Sequence, residues 1–212
     1  MSKKIVLTGN GTAEFTEKKS RFISHAAKVA TEDEARNFIT DIRKRYWDAT
    51  HNVYAFSVGE NGAIQRSSDD GEPAGTAGKP VLEAIKGTKL SNVAVVVTRY
   101  FGGILLGTGG LVRAYGKSAQ LALDAADKSY LVPACMVTLF MDYEILGKVE
   151  NYLIRHNYAI DHIQYENNAA IFCCVSFEML ADFQRNIKEK FSPHVALTVA
   201  EEKQWLEEPY SR

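Results

Sequence analysis

The chain has 212 residues, 46% hydrophobic and 24% charged, with a formal net charge of −1. That length holds one large domain or two small ones, and the composition is that of a globular protein able to form a real core. No run of 18 apolar residues occurs, so no membrane span is expected, and the opening "MSKKIVLTGNGTAEF" lacks the apolar run of a signal peptide. Charge is spread unevenly. Residues 1–130 carry 18 Lys and Arg against 14 Asp and Glu, and residues 131–212 carry 7 against 12. This asymmetry suggests a cationic, ligand-facing part and an acidic part. Of the three cysteines, Cys173 and Cys174 are adjacent and Cys135 stands apart. Neighbours on a strand point to opposite faces, so no disulfide framework is expected, and a cytoplasmic location is. Without CxxC or HxxxH spacing, no zinc site is expected, and the cysteines and histidines assign no metal.

Taken in order, "TAEFTEKKSRFISHAAKV" reads as two extended segments around Lys18–Ser20. "TEDEARNFITDIRKRYW" is a helix: Thr31 and Glu34 form a capping box, apolar residues recur at helical spacing, and Arg43, Lys44 and Arg45 suit its C-terminal end. "HNVYAFSVG" alternates as a strand, and "ENG" turns it into a second strand at "AIQRS". The polar loop "SSDDGEPAGTAGKP" leads into a helix with Pro80 in its first turn and Gly87 past its end. "NVAVVVTRY" is nearly continuous in β-branched residues, the mark of a strand buried on both faces. A glycine loop and an Ala-rich helix, "LVRAYGKSAQLALDAADKS", follow. Pro133 is read as a break, and the remainder runs strand, helix, strand, strand, helix, strand. That order is the split βαβ, or ferredoxin-like, arrangement. The fold class is therefore α+β, with a boundary near "YLVPA" separating domains at 1–130 and 134–204.

The stretch "RYFGGILLGTGGLVRAYGKSAQ" carries five glycines between Gly102 and Gly110. A loop between a buried strand and a helix can hold an anion, because the first orphan N–H groups and the positive end of the helix dipole face it. Thr108 is read as the cap. Gly109 and Gly110 offer backbone amides, and Arg99, Arg113, Lys117 and Lys79 offer charge. The nucleotide motifs fail, however. Leu111 stands where a Walker loop needs glycine, Pro80 stands where "GTAGKP" needs Ser or Thr, and Val112 replaces the third glycine of GxGxxG. No nucleotide cofactor is expected. The plainer alternative is that the glycines only allow close packing, with Ile104, Leu105 and Leu106 plugging the core. Asp69, Asp70 and Glu72 either order their loop by pairing with Arg99 or Arg113, or hold a hard cation such as magnesium. His51 is more simply read as packed than as an acid–base group. "EKKSRF" adds Lys19 and Arg21, which with Arg43, Lys44 and Arg45 form a second basic patch.

"KKSRFIS", "ATHNVYAF", "SDDGEPAGTAGKPVLEAI" and "VVVTRYFGGILLGTGGLVRAYGKSAQ" together resemble the IMPACT/YigZ family in its two-domain bacterial form. The resemblance implies an N-terminal domain with the fold of the fourth domain of elongation factor G, shared with a small-subunit ribosomal protein. It also implies a ferredoxin-like C-terminal domain similar to that factor's last domain. Eukaryotic members regulate translation by binding a partner of the starvation-sensing kinase, and bacterial members are suspected RNA or ribosome binders by analogy of fold. The expectation is a cytoplasmic, non-enzymatic, translation-associated protein. In it Arg99, Arg113, Lys117 and Lys79 meet RNA phosphates, Gly109 and Gly110 supply amides, and Tyr100 stacks or packs. Two alternatives remain open. One is an enzyme acting on a phosphorylated small molecule through the glycine loop and Asp69, Asp70 and Glu72. The other is a protein–protein module that docks a partner through the acidic C-terminal half.

Overall fold

The computed structural model describes residues 3–209, so the first two residues of the expected N-terminal domain lie outside it. The chain is a mixed α+β molecule that divides into two compact units, one of Ile5–Ser129 and one of Lys3–Lys4 with Tyr130–Pro209. Its elements are β1 (Lys4–Leu7), β2 (Gly11–Glu17), β3 (Ser20–Lys28), α1 (Glu32–Arg45), β4 (His51–Val58), β5 (Ile64–Ser68), α2 (Gly78–Gly87), β6 (Val93–Tyr100) and α3 (Thr108–Ala125). There follow β7 (Lys128–Met141), α4 (Tyr143–Arg155), β8 (Ala159–Tyr165), β9 (Ala169–Ser176), α5 (Leu180–Phe191) and β10 (Val195–Pro209). Among the described residues no helix is long and apolar enough to cross a membrane.

In the first unit an antiparallel sheet has the order β2-β3-β6-β4-β5. Its central strand shows why "VAVVV" reads as doubly buried. Val93, Val95 and Val97 join the core beneath α2 and α3, and the alternate Ala94 and Val96 join the core beneath α1. A side chain of this kind, fully buried, contributes about 1.5–3 kcal/mol. The cap expected for α1 is present, with its return bond shifted by one residue: Thr31 Oγ1 accepts the Glu34 N–H at 3.2 Å, and Glu34 accepts the N–H of Ala30, just before the cap, at 2.7 Å. The small residues of α3 let it lie close against β2. A Cβ added at Gly11 would stand 2.0 Å from the Ala122 carbonyl oxygen.

In the second unit β9 pairs antiparallel with both β7 and β8, and β10 pairs with β7. Val149, Leu153, Phe183 and Ile187, from the apolar stripes of α4 and α5, pack on Val137, Leu139, Ile171 and Cys173. Three local expectations are corrected. Pro133 does not break the chain, and β7 runs through it. The β7–β9 ladder begins at Ala134, and the Pro133 carbonyl accepts the Phe177 N–H, so the missing N–H interrupts nothing. Gly87 ends α2 from within, and Thr88 follows as its C-cap. Thr108 does not cap α3 but is its first residue; Gly107 takes the cap position, with φ at 73°, and no side chain caps the helix.

Candidate functional site

The connection from β6 to α3 is shaped by its glycines. A Cβ at Gly102 would lie 2.0 Å from both the carbonyl carbon and the oxygen of Lys19, so the loop rests directly on the turn joining β2 and β3. That turn is itself left-handed, with φ of 45° at Lys18 and 64° at Lys19. Of the three apolar loop residues, only Leu106 is buried, whereas Ile104 is exposed and Leu105 is 82% exposed. The plug expected of all three is made by Leu106 alone.

Arg99, at the end of β6, is only 5% exposed. Its Nη1 donates to Glu72 Oε1 at 2.5 Å and its Nη2 to Ser20 Oγ at 3.2 Å, and its closed-off Nε has no partner among the described residues. The guanidinium lies 5.5 Å from the ring centres of both Phe22 and Phe101. Glu72 also accepts the Tyr115 hydroxyl at 2.7 Å. Burial, and then the hydrogen bond to this carboxylate, push the Tyr115 phenol far above its ordinary value. His51 Nδ1 lies 2.7 Å from the Asp70 carbonyl oxygen, which can only accept, so the neutral ring carries its proton there. Its Nε2 is then an acceptor, 3.9 Å from Glu72 Oε1.

Two concavities adjoin the loop. A cavity of about 440 Å³ is lined by His51, Glu72, Arg99, Phe101, Leu105 and the start of α3 at Gly107 and Thr108. A groove of about 240 Å³ is lined by Phe15, Glu17, Lys18, Gly110, Arg113 and Lys117. Leu106 contributes to both. In the groove Lys117 Nζ stands 4.6 Å over the Phe15 ring. Among the described residues, Lys18, Arg113 and Lys117 make no ion pair.

The sequence candidates therefore fall into several places. Arg113, Lys117 and Gly110 share the groove, whereas Arg99 belongs to the cavity. Gly109 is exposed in the first turn of α3, and Lys79 is exposed at the start of α2, lining neither concavity. Tyr100 donates its hydroxyl to Asp48 at 2.8 Å and lies 5.9 Å from the Arg21 guanidinium. The three acids diverge. Asp69 accepts the N–H groups of Gly75, Ala77 and Gly78, Asp70 binds Arg43 at 2.5 Å and the Asn52 N–H, and Glu72 binds Arg99. Among the described residues no group of three or more His, Cys, Asp or Glu is placed to hold a metal ion. In the second basic patch, Arg21 is paired with Glu14 and Arg43 with Asp70. The sequence assigns no functional role to Phe15 or Tyr115, and it gives Lys18 and Ser20 only as the turn between two extended segments.

Two family models match the chain. One is the Impact N-terminal domain, over residues 18–123, and the other a domain of unknown function, DUF1949, over residues 139–192. The IMPACT family member YvyE of Bacillus subtilis is 47% identical over 74% of this chain and 73% of its own length. The IMPACT family member YigZ of Escherichia coli is 35% identical over 87% and 92%. A crystal structure of a hypothetical protein is 32% identical with a TM-score of 0.60, covering 95% of this chain and 99% of that one. The chain belongs to the IMPACT family, in which the resemblance read from its motifs had placed it.

Proposed function

We propose that this protein is a cytoplasmic, translation-associated regulator that binds RNA or the ribosome without catalysing a reaction. The observation that carries the reading is the convergence of Lys18, Arg113 and Lys117 on one groove beside the Phe15 ring, with no ion pair to any of the three among the described residues. Unpaired cations next to an aromatic face suit a phosphate backbone with a stacked base. Glu17 lines the same groove and tempers its charge. The cationic balance of residues 1–130 favours the same partner. The family resemblance supplies the link to translation. In this reading residues 1–130 form a domain like the fourth domain of elongation factor G, and residues 134–204 a ferredoxin-like one. The pairing of β7, β8, β9 and β10 supports the latter assignment. The acidic C-terminal half is the part that would meet a protein partner.

The test is co-sedimentation with ribosomes and with bulk RNA at roughly 50 and 200 mM salt, where binding through several phosphates falls by orders of magnitude. Arg113→Ala, an exposed position, should lose the salt-sensitive binding while melting within a few degrees of the parent. Equal binding by parent and variant would remove this groove from consideration.

A further inference from the structure

We infer that the cavity between α4 and α5, within the second unit, binds a small organic phosphate carrying at least two negative charges. The cavity has a volume of about 870 Å³, within the range of small-molecule sites. Lys148, Tyr152 and Arg155 come to it from one face of α4, and Lys190 and Phe191 from the last turn of α5. His156 and His194, which follow the two helices, complete its basic wall. Residues 131–212 carry 7 Lys and Arg against 12 Asp and Glu, yet three of the seven meet here. Among the described residues, Glu144 is the one acid that joins them. An acidic half thus gathers its positive charge in one place. The attraction of cations to helix ends accounts for Arg155 and Lys190, but not for Lys148, which lies in the first half of α4.

The cations are available and partly held in place. Among the described residues, Lys148, Arg155 and Lys190 make no ion pair. Lys190 Nζ stands 4.5 Å over the ring of Tyr152, a residue only 8% exposed. The same tyrosine orients His156. The two ring centres are 4.0 Å apart, and the Tyr152 carbonyl oxygen, which can only accept, lies 2.8 Å from His156 Nδ1. The neutral imidazole therefore carries its proton on Nδ1 and leaves Nε2 for another partner. Basic groups already fixed on a buried ring lose less freedom when a ligand arrives. Charge selects that ligand. Three Lys and Arg against Glu144 leave a net of two positive charges, which the partial charges at the helix ends reduce but do not cancel. An organic phosphate matches that balance, and an arginine can grip its oxygens through two parallel bonds. Ile145, Tyr152 and Phe191 offer an apolar wall to its body. Inorganic phosphate has no body to cover that wall. The nucleotide motifs that the sequence lacks are not required, because side-chain cations rather than a glycine loop supply the contacts.

The experiment is a thermal-shift titration of the full chain with ADP, phosphoenolpyruvate, adenosine, inorganic phosphate and hexauridylate. Saturable stabilisation is expected from one or both organic phosphates and not from adenosine, with inorganic phosphate about tenfold weaker or more. An effect of ADP alone would assign the site to nucleotides, and an equal effect of both would make phosphate charge the main determinant. Lys148→Glu, at an exposed helical position, keeps the fold and should weaken the binding about tenfold or more, whereas Lys148→Arg should retain it. Lys188→Glu, exposed on α5 outside the cavity, makes the same change of charge and should bind like the parent. Lys148→Glu should also keep the RNA binding of the groove, and Arg113→Ala should keep the binding of organic phosphate, so this inference and the proposed function fail separately. The inference is overturned if neither organic phosphate stabilises the chain, if adenosine or inorganic phosphate does so equally, or if Lys188→Glu weakens binding as much as Lys148→Glu. It is also overturned if hexauridylate binds more tightly than ADP and loses that binding in Lys148→Glu, which would make the cavity an RNA contact.

Discussion

Arg99 Nη1 and Glu72 Oε1 lie 2.5 Å apart, with 6% and 4% of their side chains exposed. The pair joins the end of β6 to the polar loop before α2, and Tyr115 ties the same carboxylate to α3. Breaking a buried pair by removing one partner leaves an uncompensated charge and typically costs about 3–5 kcal/mol. Glu72→Gln keeps the shape but not the charge, and its urea midpoint should fall by a corresponding amount at unchanged slope. A loss below about 1 kcal/mol would mean that water reaches the guanidinium.

Burial raises the Asp69 carboxyl, but the N–H groups of Gly75, Gly78 and Ala77 together outweigh it and hold the group below the ordinary carboxylate range. The stability it contributes is therefore complete above pH about 4 and lost as pH falls through the lower folded value. Asp69→Ala should lower the melting temperature at neutral pH, and the gap to the parent should close in acid. A gap independent of pH would refute the assignment.

Gly102 and Gly109 should respond oppositely to alanine. A Cβ at Gly102 meets the Lys19 backbone at 2.0 Å, whereas one at Gly109 meets Arg113 Nη1 at 3.6 Å, an ordinary contact. Gly102→Ala should cost at least about 1–3 kcal/mol through displaced backbone, and Gly109→Ala should be neutral or slightly stabilising. Equal losses in chemical denaturation would contradict the close approach of loop and turn.

All three cysteines are free, and burial pushes the Cys173 thiol up to about 12. Burial also raises Cys135 and Cys174. Thiolate, not thiol, reacts with disulfide reagents, so native protein at pH 8 should label slowly at all three and fully only after unfolding. Rapid labelling of Cys173 would show that its strand opens.

If Lys117 meets a phosphate, Lys117→Ala should reduce the slope of log affinity against log salt by about 0.7 for single-stranded RNA. The variant also forfeits the contact over Phe15, worth about 0.5–1 kcal/mol at an exposed site. An unaltered slope with weaker binding would assign Lys117 to shaping Phe15 rather than to the phosphate.

Reading the sequence alone captured features governed by neighbours within a turn or two. The Thr31–Glu34 cap, the doubly buried run at Val93–Val97 and the placing of the glycine loop between strand and helix all depend on local periodicity and backbone preference. Pro133 and Thr108 were misread where an element's end depends on what lies beside it. Pro133 stands outside the β9 ladder, and Thr108 yields the cap to Gly107 with its left-handed φ.

What the residues by themselves determined was the class of elements, their order and the family. Only the tertiary structure decided the pairing of charges: Arg99 with Glu72 and Arg43 with Asp70, each 27 residues apart. It also decided that Phe15 and Lys18 join Arg113 and Lys117 in one groove, while Arg99 turns to a different cavity. The reason is physical. Caps and periodicity act over three or four residues along the chain, whereas which side chain meets which is set by strand register and by how closely a glycine lets two backbones approach.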